Sequence, residues 1–377
     1  MRINSYGLRR NWRRIVYLLV LALLVGALST GCSGSTDSSG EAKTGEAKTQ
    51  PQKVYKWKMV THQMPGTSRY EETVVPFCKM IEEASGGRLI IEPYGAGVLF
   101  PVTDTLDAVK NGVVEMAAIW SGYWAGRDPV FGLAGSIPGD VIKLFDEHYY
   151  RSEKLDALQA KAYDKQGVKY LGGFDFGPSE ILMSRVPIRT LDDFKGKKIR
   201  TAGISAEFYK ELGMSPVSLS APEIYQALQL GTVDAAEYND WLVNSEMGLH
   251  EVTKYVIEPV LHQGAVDDKV LLVNPAAWAE LPDDLKKIVL VARDAVRYRS
   301  AIAYSTGGKL AKIEKWKNIE IIQLPEDDVR KAQEIAANFL VQYSKKSQDA
   351  AEFLKTYAEA LYELGYVDRA KALGYTK

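Results

Sequence analysis

From residue 54 onward the chain alternates between two spacings of apolar residues. VYKWKMVTHQ sets apolar and polar positions in turn, the period of two that marks a strand, and RLIIEPYGAG does the same ahead of a glycine turn. The stretch between them, SRYEETVVPFCKMIEEASGG, has helical spacing; it predicts a helix bent or broken around Pro76 that closes on Gly86 and Gly87. DTLDAVKNGVVEMAAIW then predicts a helix, a stop at Gly112 and a third strand. After Gly167 the rhythm returns. VKYLGGFDFG, SEILMSR and GKKIRTAG read as strands, SAEFYKELG as a helix, SPVSLS as a short strand, APEIYQALQLG as a helix and VDAAEYND as a strand. One long helical pattern runs from Pro282 to Lys315, followed by the strand NIEIIQL and further helices. Strands and helices that alternate in this way predict an α/β fold.

The start of the chain follows a different logic. MRINSYGLRRNWRR holds five arginines and no acid, and the apolar run IVYLLVLALLVGAL after it, about 14 residues, is short for a membrane span and suited to a signal peptide. STGC, ending at Cys32, resembles the bacterial lipoprotein box, in which the cysteine is acylated and becomes the new amino terminus. Ser29 stands where that box usually has leucine. Residues 1–31 are therefore expected to be a lipoprotein signal peptide. Residues 32–53, rich in Ser, Gly, Lys and Glu and containing GEAKT twice in tandem, are expected to be a flexible tether.

Composition narrows the choices. The chain has 377 residues, 46% of them hydrophobic, enough for two ordinary cores. Removing the five leader arginines takes the formal charge from −1 to −6, and no basic stripe supports nucleic-acid binding. Cys78, in VVPFCKMI, would be the only thiol beyond the anchor and reads as a core residue.

FKGKKIRTAG raises the question of why a strand should end on an arginine. Either Arg200 lies at a solvated sheet edge or it clamps a carboxylate from a strand's carboxyl end. LDDFKGKKIRTAG, PEIYQALQLGTVDAAE, GAGVLFPVTDTLDAVKNGVVEMA and YWAGRDPVF occur in this order between about Lys56 and Ala303. Together they resemble the extracytoplasmic solute receptors of tripartite ATP-independent periplasmic (TRAP) transporters, and within these the receptors for 2-oxo and 2-hydroxy monocarboxylates. The resemblance implies a bilobed periplasmic-binding-protein fold, with two α/β lobes, crossing strands, a lobe-spanning helix and ligand in the cleft. It sets the lobes at residues 54–177 plus 266–315 and 178–265 plus 316–377. It also implies a protein held at the extracytoplasmic face that passes a small carboxylate, such as pyruvate or lactate, to the small and large membrane subunits of a transporter.

In that family the arginine ending the strand KxxKxR pairs with the ligand's carboxylate, and here the matching residue is Arg200. Tyr238 falls where the family has asparagine or an aromatic residue facing the ligand. Of Tyr123 and Trp124, beside the WxG turn, Tyr123 is the expected cleft residue because its hydroxyl can donate to an oxyanion. Gln63, in THQMPG, and Trp120, at a strand end, are further candidates. Glu237 matches the family's metal position, and the family's glutamine falls at Ser179 or Glu180. Two carboxylates beside an anionic ligand need balancing, which points to a bound Na⁺ or Ca²⁺, to protonation of one carboxylate, or to Glu237 turned away to bond backbone amides. Asp267 and Asp268 offer a further metal oxygen or else a charged turn.

Enzyme classes find little support. None of the four histidines lies in HExxH, no GxSxG elbow occurs, and GAG at residues 95–97 lacks the remainder of a dinucleotide fingerprint.

Overall fold

The computed structural model describes residues 52–377, with the side chain of Asp267 outside that description. The leader, Cys32 and nearly all of the expected tether lie outside the described residues.

The strands, in chain order, are β1 (Tyr55–Thr61), β2 (Leu89–Tyr94), β3 (Met116–Ile119), β4 (Lys169–Pro178), β5 (Leu182–Ser184), β6 (Lys198–Arg200), β7 (Ser215–Val217), β8 (Ala235–Glu237), β9 (Tyr255–Glu258), β10 (Val266–Val273) and β11 (Glu320–Gln323). The α-helices are α1 (Val75–Ala84), α2 (Thr105–Lys110), α3 (Pro129–Gly135), α4 (Phe145–Lys165), α5 (Gly203–Glu211), α6 (Ile224–Leu230), α7 (Trp241–Glu246), α8 (Pro275–Glu280), α9 (Asp283–Glu314), α10 (Glu326–Ser344), α11 (Gln348–Glu363) and α12 (Val367–Ala372). Pro76 sits in the first turn of α1, immediately after a π-turn at Tyr70–Val74, so the helix changes geometry at the predicted position.

Two sheets form, ordered β2-β1-β3-β10-β4 and β11-β9-β5-β8-β6-β7. β10 runs antiparallel to β3 and β4 in the first, and β5 antiparallel to β8 and β9 in the second. The chain passes from the first sheet to the second between β4 and β5 and returns between β9 and β10. Long α9 packs on β4 and on α7, so it touches both lobes. The architecture is α/β and bilobed.

Both faces of the first sheet are covered, which explains its nearly unbroken apolar runs. Along β3, Met116 and Ala118 join Trp57, Met59, Phe77 and Val289 on one face, while Ala117 and Ile119 join Val60, Phe131 and Tyr163 on the other. Cys78 lies in the first of these layers, its thiol pushed up to about 12 by burial. The second sheet divides likewise, with Leu182, Ile199, Ala235 and Ile257 opposite Met183, Ala236 and Val256. Strand β6 is interior, between β8 and β7, so Arg200 does not lie at a solvated edge.

The C-terminal helices extend beyond the lobe expected to hold residues 316–377. Strand β11 joins the second sheet, but α11 packs against α4 and α3 and sends Phe353 and Tyr357 into the first lobe's core. No helix among the described residues is long and apolar enough to cross a membrane.

Arg69 fastens one lobe to the other. Its guanidinium is fully buried, 2.7 Å from Asp240 at the amino end of α7 and 3.3 Å from Asp175 of β4. Asp240 also caps α7 by accepting from the amides of Leu242 and Val243. Removing the cation would leave two desolvated carboxylates facing each other. Arg69→Met should therefore cost about 3–5 kcal/mol of unfolding free energy in urea titration. A loss below about 1 kcal/mol would show that the pair does not tie the lobes together.

Candidate functional site

Parallel strands present loops at their carboxyl ends, and the candidate site is built there from both sheets. The second lobe contributes Arg200 from the end of β6, Glu237 and Tyr238 from the end of β8, and Glu180 from the segment entering β5. Registry explains their meeting. Arg200 pairs with Ala236 and Leu182 with Glu237, while the amide of Ile181 donates to the carbonyl of Asn239. The first lobe contributes His62 after β1, Trp120 and Tyr123 after β3, and Lys269 from β10. These side chains enclose a cavity of about 20 Å³. That is room for one or two water-sized bodies, so even a three-carbon acid needs side chains or lobes to move.

Arg200 is buried and partly committed. Its Nε donates to the carbonyl of Leu219 at 3.1 Å and its Nη1 to the carbonyl of Glu237 at 2.6 Å. Nη2 has no protein hydrogen bond among the described residues. The guanidinium carbon lies 5.3 Å from the ring centre of Tyr238. Two carbonyls thus aim the fork and leave its outer end for a carboxylate.

Behind the arginine lies an acidic pair. Oε1 of Glu237 accepts from the amide of Ala202 at 3.2 Å. Burial pushes Glu237 toward protonation, but the hydrogen bond from Glu180, with His262, Arg200 and Thr201, outweighs it and holds the carboxyl below its ordinary value. Glu180 lies 3.4 Å from Nε2 of His262, whose Nδ1 is 2.9 Å from the Tyr209 hydroxyl. Glu180, Glu237 and His262 bring three metal-ligating atoms within 4.8 Å of one another, all buried. A cation fits that donor set.

The aromatic residues divide as their neighbours dictate. Tyr123 lines the cavity edge-on to Trp120 and His62, with ring centres 5.2 and 6.0 Å away. Trp124 packs beneath, its indole donating to the carbonyl of Thr103. Trp120 both lines the cavity and donates to the carbonyl of Gly135 at 2.9 Å. Burial pushes the Tyr238 phenol up to about 12 and raises that of Tyr123 too, so both remain hydroxyl donors at neutral pH.

Two candidates are displaced. Gln63 stands one layer back, its amide 3.2 Å from Nε2 of His62, and His62 is the residue on the cavity. Asp268 does not approach Glu180 and Glu237. GAVDDKVLL is a strand and not a turn, and alternation sends Asp268 to the face opposite Lys269, 3.6 Å from Arg297 and 3.8 Å from His148. The side chain of Asp267 lies outside the described residues. His62, Lys269 and His262 went unread. Lys269 had one signal, a lone base entering the apolar run VLLV, whereas nothing in the local sequence marks His262.

A larger cavity of about 630 Å³ opens behind the crossing segment 178–181. Glu180 reaches it, but no buried arginine or lysine lines it, so it offers an acid no clamp.

Two lobes that close over a buried arginine and an acidic pair define a solute-binding protein. The chain belongs to the bacterial extracellular solute-binding proteins, family 7, whose sequence pattern matches residues 60–346. This is the family of TRAP-type receptors, which bind solutes and are not enzymes. The chain is similar to the monocarboxylate 2-oxoacid-binding periplasmic protein of Nostoc sp., at 31% identity over 241 residues; the match spans 63% of this chain and 65% of that protein. In fold it is similar to a TRAP periplasmic solute-binding protein of Pseudoalteromonas atlantica solved with sodium and pyruvate, with TM-score 0.75, 24% identity, and 86% and 100% of the two chains covered. Another, from Colwellia psychrerythraea with calcium and pyruvate, has TM-score 0.74 and 24% identity over 86% and 100% of the chains.

His62 gives the site a pH signature. Burial, then the charges of Lys269 and Arg69, hold its pKa well below 6.5, so the folded imidazole is neutral. The unfolded chain takes up that proton as pH falls below about 6.5, so His62 contributes its full stability above that value and loses it on acidification. The loss should approach about 1.4 kcal/mol per pH unit. His62→Gln should remove this slope in denaturant titrations between about pH 7 and 5.5. Equal slopes in the two proteins would place the imidazole in solvent.

Proposed function

We propose that this protein is an extracytoplasmic receptor that captures a small 2-oxo or 2-hydroxy monocarboxylate, pyruvate or lactate being the size in view, together with a cation. It delivers the acid to the small and large membrane subunits of a TRAP transporter. The observation carrying this reading is the guanidinium of Arg200, buried at a strand end and aimed into the cleft by two carbonyls. Tyr123 and Tyr238 would donate to the acid's remaining oxygens, and Trp120 would limit its length. Glu237 and Glu180 would hold the cation, which supplies the positive charge that lets an anion sit beside two carboxylates. Support for the acid class comes from the ligands of similar proteins: a 2-oxo monocarboxylate for the Nostoc protein, and pyruvate with sodium or calcium in the two similar structures.

Calorimetry with pyruvate and lactate tests the clamp. Arg200→Ala should cost about 3 kcal/mol or more, on the order of a hundredfold in Kd, because it leaves a desolvated carboxylate without its partner. Arg200→Lys should recover only part of this, since an ammonium lacks the planar fork. Affinity of the alanine variant within about threefold of wild type would remove Arg200 from the site.

The leader adds a further element to the proposal: Cys32 carries lipid and holds the receptor to the membrane surface while the tether leaves the lobes free. Cys32→Ala should then move the protein to the soluble fraction with unchanged acid affinity. Retention of that variant in membranes would point to an uncleaved leader.

A further inference from the structure

The larger cavity, about 630 Å³, is walled by both lobes. Val141 and Ile142 line it from the first, Val256 and Val329 from the second, and both crossings between the sheets contribute, at 178–181 and 263–265. That size, with largely apolar walls, suits a small organic ligand. Its polar groups set the ligand's chemistry. The charged residues lining it are Asp140, Glu180 and Glu258 against Lys143 alone, and Lys143 is exposed. Several of its side-chain donors are spent: Gln263 gives its amide to Ser179, Gln323 gives its amide to Glu258, and Tyr366 gives its hydroxyl to Glu147. Acceptor sites remain. Glu258 takes Lys312 on one oxygen and Gln323 on the other, both at 2.8 Å, which uses two of about four lone-pair sites. Lys312 also shows how this wall holds an ammonium. Its Nζ lies over the ring of Trp241, 4.5 Å from the centre, and Trp241 and Glu258 both line the cavity.

We propose that this cavity is a second ligand site, one that takes an organic ammonium with an aromatic or branched aliphatic body, and that its occupant slows the entry and release of acid in the cleft. The ammonium binds Glu258 and the face of Trp241, and the body fills the space between Val141, Val256 and Val260. An anion of the same shape meets three carboxylates and no buried base. The brake follows from position. The cleft and this cavity lie on opposite sides of segment 178–181, and Glu180 lines both. A lobe movement that widens the cleft around its 20 Å³ space therefore narrows the cavity behind it. A guest wedged there opposes that movement, and an acid that must wait for the movement exchanges more slowly. The site stands on its own lining; only the brake rests on the receptor reading above.

Calorimetry with benzylammonium tests the site, with benzoate and benzyl alcohol as controls of matched shape. Benzylammonium should bind with a Kd of about 1 mM or tighter, and both controls at least about tenfold more weakly. Val260→Trp, which fills the cavity, and Glu258→Gln, which removes the charge, should each weaken benzylammonium by about tenfold, and Glu258→Gln should leave pyruvate within about threefold of wild type. Should the tryptophan variant fold poorly, Glu258→Gln decides alone. Stopped-flow tryptophan fluorescence tests the brake: saturating benzylammonium should slow both association and release of pyruvate by about fivefold. Benzoate or benzyl alcohol binding as tightly as benzylammonium, or benzylammonium binding indifferent to Glu258→Gln, would overturn the site. Pyruvate rates unchanged under saturating benzylammonium would overturn the brake. Benzylammonium binding as expected to a protein with no affinity for pyruvate would support the site, and would overturn the receptor reading for that acid and the brake with it.

Discussion

Arg69 sits with no solvent contact, dividing its guanidinium between Asp175 of the first sheet and Asp240 at the start of a second-lobe helix, with the ring of Tyr304 4.3 Å from its central carbon. The contact fixes more than two side chains. Asp240 follows Tyr238 by two residues and Glu237 by three, so holding Asp240 sets where the second lobe's binding residues stand against Trp120, Tyr123 and His62 of the first. The approach is close enough that Gly177 has no room to be anything else, since a methyl there would fall 1.8 Å from Nη2 of Arg69. Burying an arginine between two aspartates is costly in desolvation, and a well-packed apolar trio would serve stability as well or better. What the ionic contact adds is a single orientation, because two carboxylates can share one guanidinium in few geometries. A binding cleft made from opposite lobes depends on that.

With the lobes so placed, the cleft's charges nearly cancel before any ligand arrives. Arg200 and Lys269 face Glu180 and Glu237 around it. An incoming carboxylate disturbs this balance by one unit of negative charge at a place where water is scarce and Coulomb terms are large. A cation bound beside the acidic pair would restore the balance and supply a second point of attachment. Acid and cation therefore favour each other, each lowering the electrostatic cost of the other's presence, and by linkage the coupling is reciprocal.

Much of this could be read from the chain. Periodicity marked strands β1 to β8, long α9 and β11, because a sheet packed on both faces repeats the same apolar pattern strand after strand. Arg200 stood out as a base ending a short strand, but the strand alone left a solvated edge open, and only the resemblance of KxxKxR and its neighbours to a known family pointed to a clamp. Asp268 was misread by one position of parity. In GAVDDKVLL adjacent residues face opposite ways, and without the register of β10 on β4 nothing says which face looks into the cleft. His262 and Tyr209 were beyond reach for a deeper reason. Their meeting with Glu180 and Glu237 is made by the two crossings between sheets, and no local pattern records that Tyr209 and His262, 53 residues apart, come into contact. The docking of α11 on α4 was hidden likewise, since an amphipathic helix declares an apolar face but not its partner.

A satisfied, closed cleft sets the terms on which ligand competes. Arg200 already donates to two carbonyls, Glu237 already accepts from the amide of Ala202, and the space left measures about 20 Å³. None of those bonds has to break for the outer end of the guanidinium to receive a carboxylate, so the arginine is aimed before the acid arrives and little order remains to be imposed. Space is the other term, since a cavity of about 20 Å³ admits an acid only after side chains or lobes move. Discrimination among acids then falls to the aromatic walls and the second oxygen. With a cation in the proposed place, a ligand lacking that oxygen would leave the cation's shell one donor short, which is how the site would tell a 2-oxo or 2-hydroxy acid from a plain one.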